Sequence, residues 1–246
     1  MDIVVLLKTH LWNGQIENSI MKIMAETLPY GIDFYILMHT DDGKIYDEIK
    51  SDLIKNITLK ISETDIKNIY SSVFYNMWVS NHWVLMWFYK NYGSKYKYYW
   101  SIEYDVGIVG DSSVIWRYNG DYDFLYTKGN YNSPTNKYFN YYVGNKILDK
   151  DKRQGFLQIA RYSNRFLNYL DKCFKNGENG QDELIIFSLA NIGNFSKSNI
   201  FLSSLIRGTW AWEEKYSARN KIWFDRLQLS IKNMTKPIVY ILHPLK

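Results

Sequence analysis

Two short runs, DIVVLLKTH (2–10) and FYILMHTDDG (34–43), are nearly unbroken in apolar residues, and between them the apolar residues recur instead at helical spacing. An apolar run without alternation suits a strand buried on both faces, as at the centre of a parallel sheet. Ile16, Ile20, Ile23 and Met24 fall on one face of a helix that follows Gly14 and is closed by Pro29. This β-α-β opening predicts an α/β fold: a mostly parallel central sheet flanked by helices, with a ligand held by loops at the carboxyl ends of the strands.

Further along, ITLKIS (57–62) reads as a third strand, and the aromatic segment from Ile69 to Asn91, free of glycine and proline, as one buried helix. YYWSIEYDV (98–106) is expected as the next central strand and DFLYTK (123–128) as another. GNYNSPTNKYFNYYVGN (129–145) has the turn residues of a long loop. GFLQIARYS (155–163) reads as a strand leading into a helix through RFLNYLDKCF. An apolar helix follows the loop at 177–181 and stops at Gly193, and PIVYILHPLK (237–246) is a last strand. At 246 residues, one domain spanning 1–246 is expected.

The net charge of +5 is mild and spread along the chain, which suits an anionic ligand such as a nucleotide diphosphate and falls short of a nucleic-acid-binding signature. Cys173 is the only cysteine, so neither an intrachain disulfide nor a cysteine-rich zinc site is available. Asp2 stands where a signal peptide would be basic, Lys8 cuts the first apolar stretch, and no window approaches ~18 apolar residues. A soluble, cytoplasmic protein without a transmembrane segment is expected. The 22 tyrosines and 9 tryptophans exceed what packing demands, so some should line a binding surface.

Carboxylates carry the chemistry. Glu103 and Asp105 are one residue apart, so on an extended strand they point the same way, and paired hard oxygen donors suit Mg²⁺ or Mn²⁺. The spacing equally suits a solvated strand end. Asp182 and Glu183 open a helix, where acids commonly cap the amino end and meet its dipole. His39, Thr40, Asp41 and Asp42 end the second strand and are either a polar turn or nucleotide contacts; Lys8 and Thr9 stand in the same relation to the first strand. Trp78, Trp83 and Trp87 have core spacing. Tyr131, Tyr138, Tyr141, Tyr142, Trp210 and Trp212 sit in polar segments suited to contacting a ligand, and Arg161 reads either as a partner for phosphate or, first, as a surface ion pair.

VVLLKTH, the strand ending HTDDG, and above all YYWSIEYDVGIVGD together resemble the GT-A glycosyltransferases, and in particular a viral and microbial group whose aspartate-x-aspartate motif reads Glu-x-Asp within a WxxEYDV strand. The likeness runs along nearly the whole chain and is close at 98–111, 180–190 and 239–246. It implies a single GT-A-like domain, with 1–110 holding a nucleotide-diphospho-sugar, a UDP-sugar first, and 111–246 holding a glycan or glycoprotein acceptor. It implies that Asp105 binds the metal, Mn²⁺ or Mg²⁺, that Glu103 binds the metal shell or the ribose, and that His243 completes the shell while Lys246 meets a phosphate. Inversion with Glu183 as base, and Asp182 behind it, follows from the same resemblance. Alternatives from other classes are a binding module of the same fold that does not turn over, and a metal-dependent nucleotidyltransferase or phosphohydrolase.

Overall fold

The computed structural model describes residues 2–71, 80–92, 95–131, 147–211, 213–232 and 238–245, with 130 and 131 described by their backbone. The opening run forms β1 (Ile3–Thr9), whose parallel neighbours are β2 (Asp33–His39) and β4 (Tyr98–Glu103). β3 (Thr58–Ile61) continues the sheet in parallel beyond β2. On the other side of β4 come β9 (Ile159–Ser163) and β6 (Phe124–Leu125), each pairing antiparallel, and then β10 (Lys197–Ser198), parallel to β6. Among the described residues the central sheet is therefore seven-stranded and mostly parallel.

β1 is covered on both faces, which is why its sequence does not alternate. Val4 and Leu6 face a core shared with α2 (His82–Tyr92), α3 (Asn164–Lys175) and α4 (Asp182–Ile192). Val5 and Leu7 face the opposite core, shared with α1 (Gly14–Thr27). Each such side chain contributes about 1.5–3 kcal/mol by leaving water. The α1 helix starts where the Asn13 side chain accepts a hydrogen bond from the Ile16 amide at 2.9 Å. It buries Ile16, Ile20 and Ile23, and Leu28–Tyr30 then tighten into a single 3₁₀ turn that Pro29 opens.

Three expectations need correction. The helix expected from Ile69 to Asn91 is not continuous, since the described residues 69–71 and 80–81 are not helical and α2 starts at His82: Ser62 and Asp65 form a reciprocal capping box that starts a separate helix at Glu63–Lys67, and the amides of Ile69 and Tyr70 close on the Ile66 carbonyl. Residues 72–79, including Trp78, lie outside the described residues. The strand expected over 155–163 divides into β8 (Gln154–Gly155), which pairs with β7 (Gly129–Tyr131), and β9. DFLYTK retains only the two residues of β6.

A second, three-stranded sheet carries part of the site. β12 (Val239–His243) runs antiparallel to β5 (Gly107–Gly110) and parallel to β11 (Ile206–Trp210). Gly110, at φ +89°, permits this: a Cβ there would lie 1.8 Å from the Ile238 carbonyl oxygen. The outer side of this sheet is covered by α5 (Ser217–Ile231), a helix the sequence reading did not anticipate. No helix among the described residues is long and apolar enough to cross a membrane.

Candidate metal centre and neighbouring carboxylates

The carboxyl ends of β1 and β4 lie side by side, with Lys8 in register with Glu103. Lys8 is 6% exposed, and its ammonium lies 3.7 Å from Glu103 Oε1. Asn81 bridges them, accepting from Lys8 Nζ at 2.5 Å and donating through Nδ2 to Glu103 Oε1 at 3.0 Å. Buried Lys8 is thus partnered, as a buried charge must be.

Asp105 is not on the strand with Glu103. It lies in the turn that follows, closed by the Val106 amide donating to the Glu103 carbonyl, so strand alternation is not what aligns the two acids. The alignment comes from β12. His243 Nε2 stands 3.3 Å from Asp105 Oδ1 and 3.9 Å from Glu103 Oε2. The chain then continues so that the Leu245 amide donates to the Asp105 carbonyl at 2.8 Å.

These three residues fit a divalent cation. One donor atom from each of Glu103, Asp105 and His243 lies within 4.8 Å of the other two. Asp105 Oδ1 and His243 Nδ1 are buried and have no hydrogen-bond partner among the described residues. Metal–oxygen bonds of about 2.1 Å set adjacent donors roughly 3 Å apart, close to the separation of Asp105 and His243. Two carboxylates with one imidazole suit Mn²⁺, and Mg²⁺ with the imidazole as its less usual ligand.

Asp182 and Glu183 open α4 beside this cluster. Burial, foremost, pushes the Asp182 carboxyl up to about 7; Glu103 adds to the rise, while Lys8 and the Glu183 amide oppose it. Its Oδ1 accepts from the Glu183 amide at 2.7 Å and from Gln181 Nε2 at 2.9 Å. Glu183 turns elsewhere: its Oε1 accepts from Gln158 Nε2 at 2.8 Å and from the Leu157 amide at 3.2 Å. Gln158 also accepts from Trp210 Nε1 at 3.3 Å, and the Trp210 ring centroid lies 5.4 Å from that of His243. A chain of contacts therefore joins Glu183 to the metal candidates through Gln158 and Trp210. Within the candidate centre itself, two carboxylates, Glu103 and Asp105, stand against the single ammonium of Lys8, which leaves room for a cation.

Thr9 closes a local turn, donating to the Leu11 carbonyl and accepting from its amide. His39 ends β2 with Nε2 buried and without a hydrogen-bond partner among the described residues. Asp41 is exposed and accepts from the Glu63 amide at 3.0 Å, while Asp42 is exposed and paired with Lys44, which holds its carboxyl below the usual range. Lys246, Trp212, Tyr138, Tyr141 and Tyr142, and the Tyr131 side chain, lie outside the described residues. Trp83 is core as expected. Trp210 is buried at the end of β11 rather than in a polar loop.

Arg161 is a correction as well. It is fully buried, donates to the carbonyls of Tyr118, Gly120 and Tyr122, and stacks 3.9 Å over the Tyr98 ring, so it is no surface ion pair. Asn81 and Gln158 were missed. Gln158 had a signal, a lone amide inside the apolar run FLQIA, whereas nothing in the sequence around Asn81 marks it.

No family model matches the chain, and no curated protein matches it. Among solved structures, the glycosyltransferase GlyE of Streptococcus pneumoniae is 11% identical at a TM-score of 0.42; the match covers 100% of this chain and 55% of GlyE, so the chain spans about half of that protein. The galactosyltransferase LgtC, solved with donor and acceptor sugar analogues, is 10% identical at a TM-score of 0.47, covering 98% of this chain and 87% of that one. A putative glucose-1-phosphate thymidylyltransferase from Bacillus anthracis is 9% identical at a TM-score of 0.45, with 96% and 97% covered. At these values the likeness carries no argument for what this chain does.

Proposed function

We propose that the chain is a single GT-A-like glycosyltransferase domain that moves a sugar from a nucleotide-diphospho-sugar, a UDP-sugar first, to a hydroxyl of a glycan or glycoprotein, with inversion and in the cytoplasm, a viral origin being consistent with the motif. The observation that carries this reading is the convergence of Glu103, Asp105 and His243 at the carboxyl end of the sheet. The likeness of the WSIEYDV motif, which contains two of these residues, to the GT-A group is in keeping with it.

Asp105, His243 and Glu103 would hold Mn²⁺ or Mg²⁺, which when bound supplies Lewis-acid stabilisation of the departing diphosphate. Lys8 and Asn81 fix the orientation of Glu103. The Glu183 carboxylate takes the proton from the acceptor hydroxyl as it attacks, with its oxygen aimed by Gln158 and the Leu157 amide; Asp182 is the second candidate for that role. Thr9, His39, Asp41 and Asp42 border the nucleotide on the 1–110 side, and Lys246 meets a phosphate. Residues 111–246 receive the acceptor.

The test is product analysis. Incubation with a panel of nucleotide-sugars and Mn²⁺ should release a nucleoside diphosphate, EDTA should stop it, and Glu183→Gln should bind donor while transferring at least ~100-fold more slowly, at the low end for loss of a general base. Release of pyrophosphate or inorganic phosphate instead would identify a nucleotidyltransferase or phosphohydrolase. No release under any condition would leave a binding module.

A further inference from the structure

The α5 helix has two faces of different character. Ser217, Asn220, Phe224, Leu227 and Ile231 recur at helical spacing and turn toward the protein. Asn220 anchors this side, donating to the carbonyls of Thr209 and Pro244 at 2.9 and 3.1 Å and accepting from the Thr209 amide at 3.0 Å. Phe224 packs over Gly107, where a Cβ would lie 3.2 Å from its ring.

The other face carries Ile222 and Leu229, 55% and 66% exposed, with Trp223, 39% exposed, at its flank, where the indole also borders Gly208 of β11. Arg219 and Arg226, both exposed, stand one turn either side of Ile222 and Trp223, and neither has an ion pair among the described residues. Asp225, at the edge of the stripe, is paired with Lys221. One exposed apolar side chain needs no explanation, whereas three large ones interleaved with two guanidiniums that have no ion pair among the described residues form a surface with a defined preference.

That preference is for something anionic that yields to a convex apolar ridge. A second copy of the same face would set arginines against arginines, and a folded protein partner would have to supply a groove to take the ridge. An anionic bilayer meets both demands: its phosphates pair with arginine, and its headgroup region accepts a tryptophan and aliphatic side chains lying parallel to the surface. We infer that the outward face of α5 docks the protein on an anionic membrane surface, with Ile222, Trp223 and Leu229 entering the headgroup boundary and Arg219 and Arg226 held against lipid phosphate.

The test is co-sedimentation of the full chain with vesicles of phosphatidylcholine alone or mixed with phosphatidylglycerol, at low and high salt. The wild type should bind the mixed vesicles, less so at high salt, and the neutral ones weakly. R219E/R226E should weaken binding at least ~25-fold, from about fivefold per basic residue at a charged surface. W223S/L229S should weaken it comparably, and circular dichroism should show both variants folded. Absence of vesicle binding by the wild type, or equal binding by folded variants, would overturn the inference. So would a wild-type dimer that W223S/L229S converts to a monomer without any change in vesicle binding.

Discussion

His243 Nε2 stands 3.3 Å from Asp105 Oδ1 because of a strand pairing that joins distant parts of the chain. β12 runs antiparallel to β5 with Leu242 opposite Gly107, so the residue after Leu242 comes level with the turn that carries Asp105. β11 is the next strand of the same sheet, with Trp210 in register with His243. The candidate metal centre thus depends on a small sheet lying beside the large one.

That dependence makes Gly110→Ala informative. The new Cβ would collide with the Ile238 carbonyl, and the backbone is in the left-handed region at φ +89°. The variant should lose about 2–3 kcal/mol of stability in urea denaturation, with Mn²⁺ affinity falling further than stability does. Wild-type stability would show that β5 and β12 can separate at that end without cost.

Gln158→Leu tests the link between the carboxylate of Glu183 and the metal side. Gln158 is 3% exposed and hydrogen-bonded at both ends of its amide. Removal should cost about 1–3 kcal/mol and reduce transfer while leaving donor affinity unchanged. An equal loss of donor affinity would assign Gln158 to donor binding instead.

Asp182 sets a pH signature. The folded protein holds its proton up to about pH 7, whereas the ordinary carboxyl value is 3.8. The contribution of this group therefore favours folding at and below about pH 4 and is lost as pH rises toward 7. In metal-free protein, Asp182→Asn should melt higher relative to wild type at pH 7 than at pH 4. Parallel melting curves across that range would contradict the assignment.

How much of this was legible follows from what each residue touches. β1 and β2 could be read because burial on both faces leaves an unbroken apolar run, and α1 because one face of a helix is covered and Asn13 caps it. The α5 helix could not: its inward stripe includes Ser217 and Asn220 and its outward stripe Ile222, Trp223 and Leu229, so the apolar pattern is blurred. Arg161 was misjudged because its partners are backbone carbonyls of the 118–122 loop, which leave no mark in side-chain sequence. Glu103 and Asp105 stood out as acids closing an apolar run. Their convergence did not follow from the strand period that drew attention to them, since a turn and a distant strand produce it.

The most direct measurement is calorimetric titration of metal-free wild type and Asp105→Asn with Mn²⁺, followed by UDP. Wild type should bind Mn²⁺ and take up UDP only once the metal is present, while Asp105→Asn, folded by circular dichroism, should lose both events. Mn²⁺ binding by the variant as tight as by wild type would contradict the assignment of Glu103, Asp105 and His243 as a metal centre.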